Sequence, residues 1–135
     1  MARNTENAFH LAIPCADLDE AARFYEVGLG CRLGRRYADR ISLDFLGDQV
    51  VCHLTDAANI DPAPHMYPRH FGVTFRTEQD FDAMLKRAKD RDLPFFAKPS
   101  LRFEGLREEH RTFFLRDPSN NLIEFKWYHD PEMIY

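Results

Sequence analysis

Arg69-His70-Phe71-Gly72-Val73-Thr74-Phe75 decides how the rest of this chain is read. The stretch is β-branched and aromatic, as strands are, and it opens on a histidine. Period-two alternation sets His70, Gly72 and Thr74 on one face and Phe71, Val73 and Phe75 on the other. The second face suits a core. The first is polar and small, with a glycine where something can approach closely. A helix is predicted to follow at once: Thr77 is placed as N-cap, Glu78 and Asp80 sit in the first turn, and Phe81, Met84, Leu85 and Ala88 form an apolar stripe.

The same phrase occurs earlier. Ala8-Phe9-His10-Leu11-Ala12-Ile13 reads as a strand with His10 between Ala8 and Ala12 on one face and Phe9, Leu11 and Ile13 on the other. A helix follows over about 18–27, capped by Asp17, with Leu18, Ala21, Ala22, Tyr25 and Leu29 on one stripe and Gly28-Leu29-Gly30 at its end. Strands are expected at 31–37, 40–46 and 49–55, with Gly47-Asp48 as a hairpin turn. Residues 56–68, rich in Asp, Ala, Asn and Pro, read as a linker. The second half continues with a helix to about Asp90, a strand at 93–97, a long charged loop at 98–109, a strand at 110–116, an Asp117-Pro118-Ser119-Asn120 turn and a last strand at 121–128. Both halves therefore read strand–helix–strand–strand–strand, an internal duplication. The fold class is α+β: two βαβββ modules, about 8–55 and 69–128, whose strands form a curved mixed sheet.

Composition narrows the function. A chain of 135 residues is read as one domain that buries roughly two-thirds of its unfolded surface without a staple. Twelve Phe point to an aromatic core. The net charge of −4, with no basic run, argues against nucleic acid. No run is apolar or long enough to span a membrane and no signal-peptide pattern opens the chain, so a cytoplasmic location is expected. The three cysteines, Cys15, Cys31 and Cys52, follow no CxxC spacing and read as reduced small hydrophobes.

Overlaying the halves pairs His10 with His70, and Val51-Cys52-His53-Leu54 with Leu122-Ile123-Glu124-Phe125, which sets His53 on Glu124. A lone strand histidine is commonly just a packed residue. Ligand types at all four repeat-related positions are harder to dismiss, because a buried ionised carboxylate is costly unless paired. Imidazole and carboxylate together suit Fe(II), Zn, Mn, Co or Ni. His65, His110 and His129 have no repeat partner, and His110 is the one of these singled out.

This pattern of His10, His53, His70 and Glu124 on two βαβββ units resembles the vicinal oxygen chelate superfamily. That superfamily holds glyoxalase I, extradiol catechol dioxygenases, methylmalonyl-CoA epimerase, fosfomycin-resistance enzymes and bleomycin-resistance proteins. The segments that carry the likeness are FHLAIPCADLDEAARFY, HFGVTF and FFLRDPSNNLIEFKWY, and it spans about Phe9 to Trp127. The resemblance implies a metal, Fe(II) foremost with Zn, Ni, Mn or Co as alternatives, on His10, His70 and Glu124. His53 falls where glyoxalases carry a fourth ligand and extradiol enzymes carry none. His53, His110 and Glu124 are the implied acid–base groups, and Arg102 and Phe103, in the charged loop with Arg107, the implied substrate contacts. The expected activity is an extradiol-type dioxygenase on a small catechol-like molecule. The alternatives are a glyoxalase- or epimerase-like lyase or isomerase, and a non-catalytic bleomycin-resistance-type binding protein. A homodimer is expected, with each site built in one chain or across two.

Overall fold

The computed structural model describes residues 1–135. The first half runs β1 (His10–Cys15), α1 (Leu18–Ala22), β2 (Arg32–Arg36), β3 (Arg40–Phe45) and β4 (Asp48–Leu54). The second runs β5 (Phe71–Phe75), α2 (Glu78–Asp90), β6 (Phe95–Arg102), β7 (His110–Arg116) and β8 (Leu122–Tyr128). Each half makes its own four-stranded mixed sheet, in the order β1-β4-β3-β2 and β5-β8-β7-β6. The first strand of each pairs in parallel with the last, and the other pairs are antiparallel. No helix is long and apolar enough to cross a membrane.

The caps act as the sequence implies. Asp17 accepts the backbone N–H groups of Asp19 and Glu20 at 2.8 and 2.9 Å, and Thr77 accepts that of Asp80 at 3.1 Å. Beyond Ala22 the first helix widens into a π-helical segment, Arg23–Gly28. The wider turn lets the neighbours Phe24 and Tyr25 both enter the core, which a 3.6-residue stripe does not anticipate for Phe24. The three cysteines lie buried as thiols. Burial pushes them up, Cys31 to about 12, which keeps them inert.

Two expectations need correction. The first hairpin turns at Leu46-Gly47, one residue earlier than expected, with φ of 55° and 98° at the two central positions. Asp44 Oδ1 holds that turn by accepting the Gly47 N–H at 2.9 Å. The charged loop is also shorter, because Lys98–Arg102 belong to β6. Ser100 pairs with Thr112 and Arg102 with His110, while register irregularities between Phe95 and Ser100 accommodate Pro99, which has no N–H to give. β6 is an edge strand, where such a residue is tolerated.

The two halves share one core and are joined by a buried polar latch. Asp117, in the Asp-Pro turn, accepts the Ser119 and Asn121 N–H groups on Oδ1 and the Tyr25 hydroxyl on Oδ2, at 2.8, 2.8 and 2.7 Å. Asn121 Nδ2 donates to Asp117 Oδ2 and to the Pro14 carbonyl, and the Ala16 N–H donates to Ser119 Oγ. Burial pushes the Asp117 carboxyl above its ordinary value, against these donors. Tyr25→Phe keeps the packing and removes one donor to a buried carboxylate. It is expected to cost about 1–2 kcal/mol in urea unfolding.

Candidate functional site

One face of the second sheet is polar although half-buried. Register places Gly72 opposite Glu124 and Thr74 opposite Lys126 on β5 and β8. On the β7 side, Phe114 faces Glu124, Thr112 faces Lys126 and His110 faces Tyr128. The face thus carries His70 and Glu124 at one end, Lys126 and Thr112 in the middle, and His110 with Tyr128 at the other. Ile123 and Phe125 alternate into the core.

His70 and Glu124 meet directly, Nε2 to Oε2 at 3.2 Å, with side chains 25% and 12% exposed. Both are held from behind. His70 Nδ1 lies 2.6 Å from the Met66 carbonyl, which can only accept, so Nδ1–H donates there and Nε2 is the nitrogen turned to Glu124. Thr112 Oγ1 donates to Glu124 Oε1 at 2.7 Å, leaving Oε2 turned to the imidazole. The edges of Phe114 and Tyr67 fix the ring further, at 5.2 and 5.9 Å between centroids. Two lone-pair atoms at 3.2 Å repel unless a cation, a proton or a metal, lies between or beside them. A tautomer fixed by a carbonyl and a carboxylate oriented by a hydroxyl are how proteins prepare metal ligands. The donor set fits a borderline divalent ion such as Fe(II), Mn, Co, Ni or Zn.

The other expected site residues lie elsewhere. No cluster of three or more His, Cys, Asp or Glu side chains able to hold a metal forms within one chain. His10 is exposed, yet it is built like His70: its Nδ1 lies 2.6 Å from Gln49 Oε1, so Nε2 is again the nitrogen left free. His53 is exposed and pairs with Pro14 and Arg40. The overlay of His53 on Glu124 is therefore corrected. His10 precedes its helix cap by as many residues as His70 does, and with those two matched it is Val51, opposite Ala12, that takes the place of Glu124, opposite Gly72. His53 takes the place of Lys126. A slip of two residues keeps every side chain on its own face, so alternation alone could not detect it.

His110 is buried, with its Nδ1 2.8 Å from the Glu108 carbonyl. Its ring leans on Tyr128 at 4.7 Å and Phe103 at 5.8 Å. Arg102 stands opposite it on the edge strand, its guanidinium 5.4 Å from the Phe103 ring. These three residues form a group of their own, about 13 Å of strand from Glu124 at roughly 3.3 Å per residue. The loop's other arginine, Arg107, is bound to Asp130 and Glu132 and so is tied to the C-terminal segment. Two residues carry more of the site than the sequence suggested. Thr112 orients Glu124, and the Lys126 ammonium lies 3.7 Å from Glu124 Oε2 and 5.5 Å from the Tyr128 ring centre. Lys126 shares this face because it lies two residues beyond Glu124 on the same strand. A cavity of about 610 Å³ opens on the His70 side of the pair, with Ile13, His65, Tyr67, His70 and Asn121 in its wall; Glu124 and Lys126 lie outside that wall.

Comparison with known proteins agrees with this architecture. The family model of the Glyoxalase/Bleomycin resistance protein/Dioxygenase superfamily matches residues 8–125. A crystal structure of a glyoxalase/bleomycin resistance protein/dioxygenase from Alicyclobacillus acidocaldarius is 60% identical, with TM-score 0.95, over 99% of this chain and 100% of that one. The fosfomycin resistance protein FosX of Listeria monocytogenes shares the fold at 15% identity and TM-score 0.70, over 94% and 97% of the two chains. Lactoylglutathione lyase of Agrobacterium tumefaciens does so at 14% identity and TM-score 0.65, over 90% and 92%. No curated protein matches the chain.

Proposed function

The chain belongs to the glyoxalase/bleomycin resistance protein/dioxygenase superfamily, and on that premise we propose a divalent-metal enzyme of the extradiol dioxygenase type, acting on a small molecule with two vicinal oxygens. His70 and Glu124 hold the metal, Fe(II) by preference, together with His10 of a second copy of the chain. The observation that carries this reading is the His70–Glu124 pair, with Nε2 and Oε2 facing at 3.2 Å and each group locked from behind. His10 joins it because its ring is prepared in the same way and stands exposed, while its own chain offers no third ligand.

The bound ion supplies Lewis acidity towards two neighbouring substrate oxygens. The chain's residues do the rest. Met66 and Gln49 keep both imidazoles in the metal-binding tautomer, Thr112 aims the carboxylate, and Phe114 and Tyr67 hold the His70 ring in place. With His53 outside the set, two imidazoles and one carboxylate remain, the ligand class that non-haem iron(II) oxygenases use with positions left open. This favours the dioxygenase over a four-ligand glyoxalase-like site. A purely sequestering protein has no use for imidazoles with fixed tautomers. His110, Arg102 and Phe103 are assigned to the far end of the face, where they meet the body of the substrate rather than its chelating oxygens.

Mixing two defective variants tests the shared site. His10→Ala and Glu124→Ala are each expected to bind no metal. After co-refolding in equal amounts, about a quarter of the sites should regain it, because half of the dimers then carry one intact His10–His70–Glu124 set. Elemental analysis of the mixture reads this. Metal retained by His10→Ala alone, or no recovery on mixing, overturns the cross-chain site.

A further inference from the structure

Lys126 is not accounted for by the metal ligands. It lies on the site face two residues beyond Glu124, its ammonium 3.7 Å from Oε2, and its side chain is 29% exposed. Without metal Glu124 carries the one negative charge among His70, Glu124 and Lys126, and the Lys126 ammonium balances it. Glu124 is the sole carboxylate that the register places on this sheet face; Lys126 is the cation beside it, and the face's other cation, Arg102, stands at the far end opposite His110. A divalent cation on Glu124 takes that carboxylate as its own ligand. The ammonium then loses its counter-charge and the site becomes net positive, in a half-buried place where water screens it only partly. From Lys126 the face runs on to Tyr128, whose ring lies 5.5 Å from the ammonium, and to the tilted His110 ring beside it. A cation next to an aromatic shelf suits a flat ring that carries a negative group.

From this geometry we infer that the substrate is a ring bearing a carboxylate as well as its two vicinal oxygens, and that Lys126 is the specificity residue that receives the carboxylate. The inference rests on the metal reading above and goes beyond it by naming the substrate class. Catechol and its two carboxylated forms, 2,3- and 3,4-dihydroxybenzoate, are suitable probes, since they differ in the group assigned to Lys126. Zinc is the redox-silent ion to use, with air excluded.

Zinc binding is titrated first and probe binding to the zinc-loaded protein second, both by calorimetry. At least one dihydroxybenzoate is expected to bind about tenfold or more tightly than catechol, in line with the strength of a charge-assisted hydrogen bond. Lys126→Met should close that gap. Removing the cation strengthens zinc uptake if anything, so loss of metal cannot produce the result. Equal binding of catechol and both acids, binding of neither acid, or a gap that persists in Lys126→Met overturns the inference. Failure of the metal reading looks different: the zinc titration itself is then flat.

Discussion

Glu124→Gln is expected to lower divalent-metal affinity by more than about 100-fold while leaving the fold intact. The lower bound comes from second-sphere residues, whose removal alone costs about 10- to 100-fold, and Glu124 is argued to be a ligand. The amide keeps the shape of the carboxylate. Its oxygen can still accept from Thr112, and its NH₂ can donate to the His70 Nε2 lone pair, so the variant satisfies in a neutral way the pair that the carboxylate leaves waiting for a cation. Thermal unfolding without metal should therefore be unchanged or slightly improved, and the stabilisation that metal confers on the parent should disappear. Thr112→Val should fall between parent and Glu124→Gln, because the carboxylate remains but is no longer oriented. His53→Ala should bind metal within about threefold of the parent, since a residue outside the coordination set changes affinity little. A His53→Ala loss as large as that of Glu124→Gln would restore the four-ligand site and with it the glyoxalase-like alternative.

Gly72→Ala is expected to destabilise the protein by about 4 kcal/mol or to prevent folding, a large effect for a single methyl group. A Cβ at position 72 would lie 1.7 Å from the Glu124 carbonyl oxygen, 2.6 Å from its carbon and 2.8 Å from its nitrogen. These are backbone atoms of the paired strand, so no side chain can turn aside. β5 and β8 must separate, and with them the strands that carry His70 and Glu124. Urea unfolding of the variant measures the cost. If it folds, its metal affinity should fall as well, because the 3.2 Å approach of Nε2 and Oε2 depends on the same strand spacing. A loss of less than 1 kcal/mol would mean that the two strands can part freely at this point.

A glycine on the polar face of a histidine-bearing strand signals a close approach, and one occurs. That the approaching group is the backbone of Glu124 depends on which residue of a distant strand lies alongside, and composition does not carry that. The same division holds at His53 and Glu124. Both were recognised as polar residues on a strand face, and their burial now differs sharply, since Glu124 is packed between Thr112, His70 and Lys126 while His53 stands open beside Arg40. The Asp117-Pro118-Ser119-Asn120 turn was legible from its residue types. Its function as the latch that accepts the Tyr25 hydroxyl, from a helix ninety-two positions away in the chain, was not.

Alternation, capping residues and an internal repeat were enough, by themselves, to establish two strand–helix–three-strand units, the sides of the strands that enter the core, and the histidines and carboxylate that stand on the opposite sides. These are properties of near neighbours in the chain, where covalent geometry dictates direction. Strand register, the partners behind each ring nitrogen and the separation of His10 from the His70–Glu124 pair were decided by tertiary structure. Sliding one strand by two residues leaves every local pattern unchanged, so only packing between distant segments selects the register.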